Sequence, residues 1–368
     1  MKRHPGATTM NDSLAASLRA GLAAPICLTW ELTYGCNLSC RHCLSDSGSR
    51  APGELNTDEA LELIDTFAEM GIFYVNIGGG EPMMRRDFFP LLEHAVSRRV
   101  GVKFSTNGTF LDAAAARRLA GMDYVDVQVS IDGPDRATND ALRGRGSFAK
   151  AVAALENLAT AGFDDPKISV VATRHNVSRL DELEEMARGF GASLRVTRLR
   201  PSGRGAQSYA DLRPTPEDNR HLFRWLSERP HVLTGDSFFH LSPLGDPLPG
   251  LNMCGAGRVV CLVDPVGDVY ACPFTIHPDF KAGNIRETGL ADIWRSSDLF
   301  TSLRSEPGPT GCSSCSAYAS CQGGCMAAKF HTGSGPADPD PECVMGRAAA
   351  TASTVLSIRP RRAAVATR

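Results

Sequence analysis

Between residues 26 and 200 two hydrophobic periods alternate along the chain. Short runs rich in Val, Ile and Phe at 26–32, 73–77, 102–106, 125–131, 168–173 and 194–199 read as buried parallel strands. Stretches of helical period separate them. One follows Asn56 and Thr57, with Asp58 and Glu59 in its first turn and Gly71 just past its end. Another begins after Asp87, and another after Ser147 with Gly162 beyond it. Six strands with interposed helices predict right-handed crossovers and a parallel sheet. This pattern fits an open doubly wound sheet and a full or partial barrel equally well. In both, ligands collect at the C-terminal ends of the strands.

The pattern changes after residue 200. Residues 201–253 carry Pro201, Gly203, Gly205, Pro214 and Pro216 with one helical run near 216–228, and read as a bridge between domains. Runs 258–263 and 269–272 then flank Asp264-Pro265-Val266-Gly267-Asp268 as a β-hairpin. Lys2, Arg3 and His4 give a basic start, but Asp12 and Arg19 break up any apolar run that could serve as an export signal. The expected division is a flexible leader at 1–24, a core at 25–200, the bridge at 201–253, a cysteine-rich domain at 254–345 and a flexible basic tail at 346–368.

Composition excludes several roles. With 368 residues, 42% of them hydrophobic, the chain can bury a large core. A net charge of −2 is wrong for a basic surface that grips nucleic acid. No apolar run reaches the ~18 residues of a membrane span, so no membrane partner is expected. Without an export signal the expected location is the reducing cytoplasm.

Twelve cysteines change the picture. Cys27, Cys36, Cys40 and Cys43 come early. Cys254, Cys261, Cys272, Cys312, Cys315, Cys321, Cys325 and Cys343 come late, with none between the two groups. In a long chain of a reducing compartment such clusters read as metal ligands rather than disulfides. The CxxxCxxC of Cys36, Cys40 and Cys43 can hold three irons of a [4Fe–4S] cube and leave the fourth iron open for chemistry. A zinc knuckle completed by His42 is the competing reading, and it suits a loop after the first strand of a β/α repeat poorly. Gly78-Gly79-Gly80-Glu81-Pro82 after the second strand is either a tight turn or a place where backbone approaches a ligand closely. Ser105-Thr106-Asn107-Gly108 and Ser130-Ile131-Asp132-Gly133 end the third and fourth strands, and Leu142-Arg143-Gly144 follows.

Together these segments resemble the radical S-adenosylmethionine (SAM) superfamily. The resemblance implies a partial (β/α)6 TIM-like barrel whose open iron binds the amine and carboxylate of SAM and cleaves it to methionine and a 5′-deoxyadenosyl radical. It implies that Gly79, Gly80 and Glu81 meet the SAM amine, that Asn107, Ser130 and Asp132 face the ribose, and that Arg143 lies near the carboxylate. His42 stands where the family commonly has an aromatic residue, and an imidazole can still stack on adenine.

The order Cys254, Gly267, Cys272, Cys312, Cys315, Cys321, Cys325, Cys343 resembles the SPASM extension of radical SAM peptide-modifying enzymes. That resemblance implies two auxiliary clusters, so three [4Fe–4S] clusters in all. Cys254, Cys272 and Cys325 belong to the first and Cys312, Cys315, Cys321 and Cys343 to the second. Cys261 is the natural fourth ligand of the first auxiliary cluster, against the alternative of a buried strand thiol. Cys27 has no motif partner and reads as a core thiol.

Segments 199–205, 234–240, 247–252, 255–258, 271–274 and 323–330 are further similar to the mycofactocin radical SAM maturases, over roughly residues 25–345. This resemblance implies oxidative decarboxylation of the C-terminal tyrosine of a ribosomal precursor peptide ending in Val-Tyr. A carbon–carbon bond between the two residues then closes a lactam. An external one-electron reductant is implied as well. Three rivals stand beside it. A sulfatase maturase has an aspartate base directly after the second SPASM cysteine, where this chain has Pro273. The others are a thioether-forming peptide maturase and a non-catalytic iron–sulfur electron carrier, and the intact CxxxCxxC argues against the last. About 25 residues precede the first strand, with Pro5, Gly6 and Pro25 among them, too few for a leader-recognition domain. A separate small chaperone protein is therefore expected to hold the precursor.

Overall fold

The structure is a computed structural model that describes residues 21–347, apart from 73, 236–237, 251–252 and 306–308. Phe73 of the second expected strand, leader residues 1–20 and tail residues 348–368 lie outside the described residues.

All six expected strands form: β1 (Cys27–Glu31), β2 (Tyr74–Gly78), β3 (Gly101–Thr106), β4 (Val125–Ser130), β5 (Lys167–Ala172) and β6 (Ser193–Arg198). They are parallel, and each pairs with its neighbours in chain order. A doubly wound sheet reverses its order at a switch point. No reversal occurs among β1–β6, so right-handed crossovers put their connecting helices on one face and the sheet curls as a partial barrel.

Strand alternation then separates core from cavity. Leu28, Trp30 and Leu32 point outward into the main core, where Trp30 meets Phe67 of α1 (Thr57–Glu69) edge-on with centroids 5.7 Å apart. Cys27, Thr29 and Glu31 line the inner cavity. α1 opens on the expected cap: the Asn56 side chain accepts from Glu59 N–H while the Glu59 carboxylate accepts from Asn56 N–H. α2 (Phe88–Ser97) begins directly after Asp87, followed by α3 (Ala113–Ala120) and α4 (Arg136–Arg143). α5 (Ser147–Thr160) starts at Ser147 itself because Gly146, at φ 83°, makes the left-handed entry.

The later segments pack directly on the barrel. The cysteine-rich part continues the barrel's own sheet: β7 (Val260–Val263) pairs parallel with β1, and β8 (Asp268–Tyr270) and β9 (Lys281–Asn284) extend it antiparallel. The Asp264 carboxylate stabilises the β7–β8 turn by accepting from Val266 and Asp268 N–H, and it also accepts from the Tyr34 hydroxyl just after β1. Residues 201–253, expected as a bridge, cover the free edge of the barrel. Leu233 pairs with the backbone beside β6, donating to Leu194 O and accepting from Val196 N–H. Leu222, Trp225 and Leu226 of α6 (Pro216–Ser227) join the main core. Leu22, near the end of the expected leader, accepts a hydrogen bond from Trp294 Nε1 at 2.8 Å.

Candidate active site

The loop after β1 carries Cys36, Cys40 and Cys43, and all three line a cavity of about 400 Å³ at the C-terminal ends of the strands. Backbone shapes the loop around the sulfurs. Leu38 N–H donates to Cys36 Sγ and Ser47 N–H to Cys43 Sγ, both at 3.4 Å. Arg204 clamps the loop from the opposite edge of the barrel, donating to Cys40 O, Ser47 O and the Asp46 carboxylate. Gly203, at φ 54°, lets this clamp close, since a Cβ there would stand 2.4 Å from Leu44 O. Burial pushes the Cys36 thiol up to about 11, and Glu81, Cys40 and Cys43 add to it. Burial raises the Cys40 thiol as well, and a positively charged cluster would let such thiols ionise as ligands. The donor set therefore fits an iron–sulfur cube. His42 is turned to Asp132, with Nε2 3.0 Å from the carboxylate, and is not offered to the thiols as a zinc knuckle requires.

The glycine-rich turn after β2 is hydrogen-bonded to the cysteine loop. Gly80 N–H donates to Thr33 O and Glu81 N–H to Gly35 O, so the turn supports the cysteine loop itself. A Cβ on Gly80 would stand 2.0 Å from Gly35 O, and one on Gly79 2.5 Å from Thr33 O. The Glu81 carboxylate is buried and accepts from Thr106 Oγ1 and Asn107 N–H, both at 2.8 Å. Burial raises it to about 7 against those hydrogen bonds. Asn107 in turn donates to the Asn37 side chain at 2.9 Å. Gly79, Gly80, Glu81, Asn107, Ser130 and Arg143 all line the cavity.

Asp132 does not. It is fully buried behind the wall, where it accepts from Val171 N–H at 2.7 Å and sits 2.6 Å from Arg143 Nε. Burial alone would raise this carboxyl, but Arg143 and His42 hold it well below the usual carboxylate range. The expected ribose contact is thus a post that orients His42 and Arg143, because the residue after the strand end turns inward under α4.

Of the later cysteines, Cys254, Cys272 and Cys325 line the same cavity. Burial pushes Cys272 up to about 12, with Cys254 and Cys325 adding to it. Cys312, Cys315, Cys321 and Cys343 form a second group away from the cavity. Burial pushes Cys321 up to about 12, with Asp340, Cys343 and Cys312 contributing. Cys312 is raised by burial and by Cys343 and Cys315. Cys261 joins neither group. It lies on the outward parity of β7 beside Leu28, buried in the main core, and its charged neighbours are Cys27 and Arg304. The expected fourth ligand is therefore a strand thiol, since the inward position next to it belongs to Val260. Cys27, expected in the core, instead lines the cavity with the parity of Thr29 and Glu31.

The sequence reading missed the ionic post between the two late cysteine groups. Asp340 accepts from both terminal nitrogens of Arg198, at 2.9 and 2.7 Å, and from Cys325 N–H at 2.8 Å. Glu342 accepts from Arg198 Nε and from the Tyr209 hydroxyl, both at 2.8 Å. An arginine closing β6 and acids beside Cys343 were the visible signals, but nothing in the sequence pairs them. Lys103, Arg195 and Arg200, which also line the cavity, were missed as well.

Residues 30–188 match the radical SAM superfamily, and residues 254–316 match the iron–sulfur cluster-binding SPASM domain. A protein of Mycolicibacterium smegmatis described as mycofactocin maturase MftC is 58% identical over 337 residues, 90% of this chain and 86% of that protein. Its counterpart in Mycobacterium ulcerans is 57% identical over 359 residues, 96% of this chain and 97% of the other. Among solved structures, Streptococcus suis SuiB bound to the precursor peptide SuiA shares the fold with a TM-score of 0.73. It is 18% identical, and the match covers 93% of this chain and 84% of that one. On these grounds the chain belongs to the mycofactocin maturase family of radical SAM enzymes with a SPASM domain.

Proposed function

We propose that this enzyme oxidatively decarboxylates the C-terminal tyrosine of a ribosomal precursor peptide and then bonds that residue to the preceding valine through carbon. The carrying observation is that a single cavity is lined both by Cys36, Cys40 and Cys43 and by Cys254, Cys272 and Cys325.

In this reading three [4Fe–4S] clusters are held by Cys36/Cys40/Cys43, by Cys254/Cys272/Cys325 and by Cys312/Cys315/Cys321/Cys343. Bound there, they supply the electron that cleaves SAM and a sink for the electron released later. The chain's residues do the rest. Arg143, oriented by Asp132, offers its charge to the SAM carboxylate. Asn107 and Ser130 face the ribose, and the turn at Gly79-Gly80-Glu81 presents backbone to the SAM amine. Removing a tyrosine Cβ hydrogen leaves a carbon radical, and loss of carbon dioxide from its carboxylate then forms the Cα–Cβ double bond and releases one electron. The wall next to Cys272 carries Pro273 and Phe274, which cannot take a proton, so the aspartate base of a sulfatase maturase is missing.

The reading includes an external one-electron reductant, a separate small leader-binding chaperone protein and a cytoplasmic location that keeps the thiols reduced. Among the described residues no helix is long and apolar enough to cross a membrane. The test is mass spectrometry of a precursor peptide ending in Val-Tyr, incubated with reconstituted enzyme, its leader-binding chaperone, SAM and reductant. The expected product has lost carbon dioxide and two hydrogens. Loss of hydrogens alone, with the carboxylate retained, points to a thioether-type maturase and overturns the reading. Replacing Cys36, Cys40 and Cys43 by Ala is expected to abolish 5′-deoxyadenosine formation and leave about eight of about twelve irons.

A further inference from the structure

The floor of the cavity holds a cation that the reading above leaves unused. Lys103 is the third residue of β3 and shares the inward parity of Ser105, so its side chain enters the barrel about 10 Å below the Thr106–Glu81 hydrogen bond. Its Nζ lies 5.2 Å from the centroid of the Tyr74 ring. Asp126, the carboxylate it feels most, is already engaged: it accepts from Lys167 Nζ at 2.6 Å and from the Tyr74 hydroxyl at 3.1 Å. Among the described residues no acid stands within ion-pair distance of Lys103. Arg195 lines the same floor and adds positive charge.

Three other cations of the wall are matched. Arg143 faces Asp132, Arg204 faces Asp46, and Arg198 is saturated by Asp340 and Glu342. Among the described residues Arg200 pairs with no acid, but its guanidinium is stacked 4.1 Å over Phe274 and its Nη1 donates to Arg198 O. A largely desolvated ammonium without a counter-charge is costly, and the cost is relieved when a ligand brings the anion. Burial, followed by repulsion from Arg195, lowers Lys103 to about 8, so it remains mostly charged at neutral pH.

We propose that Lys103 is an anion subsite that receives the free C-terminal carboxylate of the peptide substrate, and that it thereby restricts the enzyme to peptides ending at the reacting residue. This rests on the decarboxylase reading, because only there must the substrate bring a carboxylate to the cavity. The SAM carboxylate is accounted for at the opposite end by Arg143. The anchored group is also the one that leaves. Once carbon dioxide departs, the tyrosine-derived end is released from Lys103, and the valine can move into the position it held.

The test uses the reconstituted full chain with SAM and no reductant. It measures binding of a synthetic precursor peptide ending in Val-Tyr and of the same peptide as its C-terminal carboxamide. The wild type is expected to prefer the carboxylate by about 10–100-fold, the scale of a charged hydrogen bond made in a buried site. Lys103→Met is expected to erase that preference by weakening the carboxylate peptide alone, and Lys103→Arg to keep most of it. Matched circular dichroism and iron content guard against misfolding, and the wild-type comparison of the two peptides needs no variant. Equal binding of the two peptides by the wild type overturns the proposal, as does a Lys103→Met enzyme that keeps the preference while Arg200→Met loses it. In either case a wild type that still decarboxylates the peptide leaves the functional reading standing. A wild type whose product retains the carboxylate sinks both.

Discussion

Replacing Asp340 by Ala removes the post that ties the barrel to both late cysteine groups. Its carboxylate, 2% exposed, accepts four hydrogen bonds: two from Arg198 and one each from Cys325 and Glu342 N–H. Removing one partner of a buried ion pair costs about 3–5 kcal/mol. Glu342 remains on Arg198 and reduces that cost, while two orphaned backbone donors add about 1–3 kcal/mol each. A net loss of about 3–5 kcal/mol is expected. At about 2 cal/mol/K per residue, a 368-residue chain has an unfolding entropy near 0.8 kcal/mol/K, so Tm falls by about 4–6 °C. The assay is thermal unfolding of the reconstituted protein by circular dichroism, with iron counted on the same samples. Iron held by the late groups is lost preferentially, because Cys325 and Cys343 flank the deleted anchor. Arg198 holds the Asp340 carboxyl well below its usual range despite burial, so this stability is fully present above about pH 4 and is lost as pH falls further. A variant that melts within about 1 °C of the wild type with a full iron complement refutes the assignment of Asp340 as the anchor.

Three further outcomes are expected. Gly80→Ala forces a Cβ to within 2.0 Å of Gly35 O, so the loop of Cys36 is displaced and 5′-deoxyadenosine formation with SAM and dithionite is lost, while the later cysteine groups keep their iron. Cys261→Ala leaves iron content and cluster spectra unchanged and costs only packing, about 1–2 kcal/mol in denaturant melts, whereas Cys272→Ala lowers the iron count; a drop in iron for Cys261→Ala returns that thiol to the ligand set. The Glu81 carboxyl, raised from 4.5 to about 7 by burial, makes its own contribution to stability in full below about pH 4.5 and loses it as pH rises through 7. The loss is about 3 kcal/mol in denaturant melts across that window, and Glu81→Gln flattens the slope.

Much of the barrel was written in local pattern. Val, Ile and Phe runs separated by capped helices need no distant information, and the Asn56 box and Gly146 turn act within a few residues. The joining of β7 to β1 was not legible, because Leu28 and Cys261 are far apart in the chain and each looks like an ordinary buried strand residue. The cysteine motifs were readable for the opposite reason, since their chemistry is carried by residue type and spacing. Parity was the neglected signal. Cys27, Lys103 and Arg195 break the apolar alternation of their strands on the inward side, and Cys261 falls on the outward side. Asp132 failed as a ribose contact because position at a strand end does not say which way the side chain turns.

The pairing of β1 with β7 also sets an order of events at the ribosome. Cys27 and Val260 become neighbours only after the intervening 200-odd residues have been made. At about 5–20 residues per second, that interval is roughly 10–50 s. Throughout it the nascent barrel presents one edge of β1 unpaired, next to the loop of Cys36, Cys40 and Cys43. An open strand edge recruits other chains, so slow synthesis at low temperature and ample holdase chaperone favour soluble enzyme.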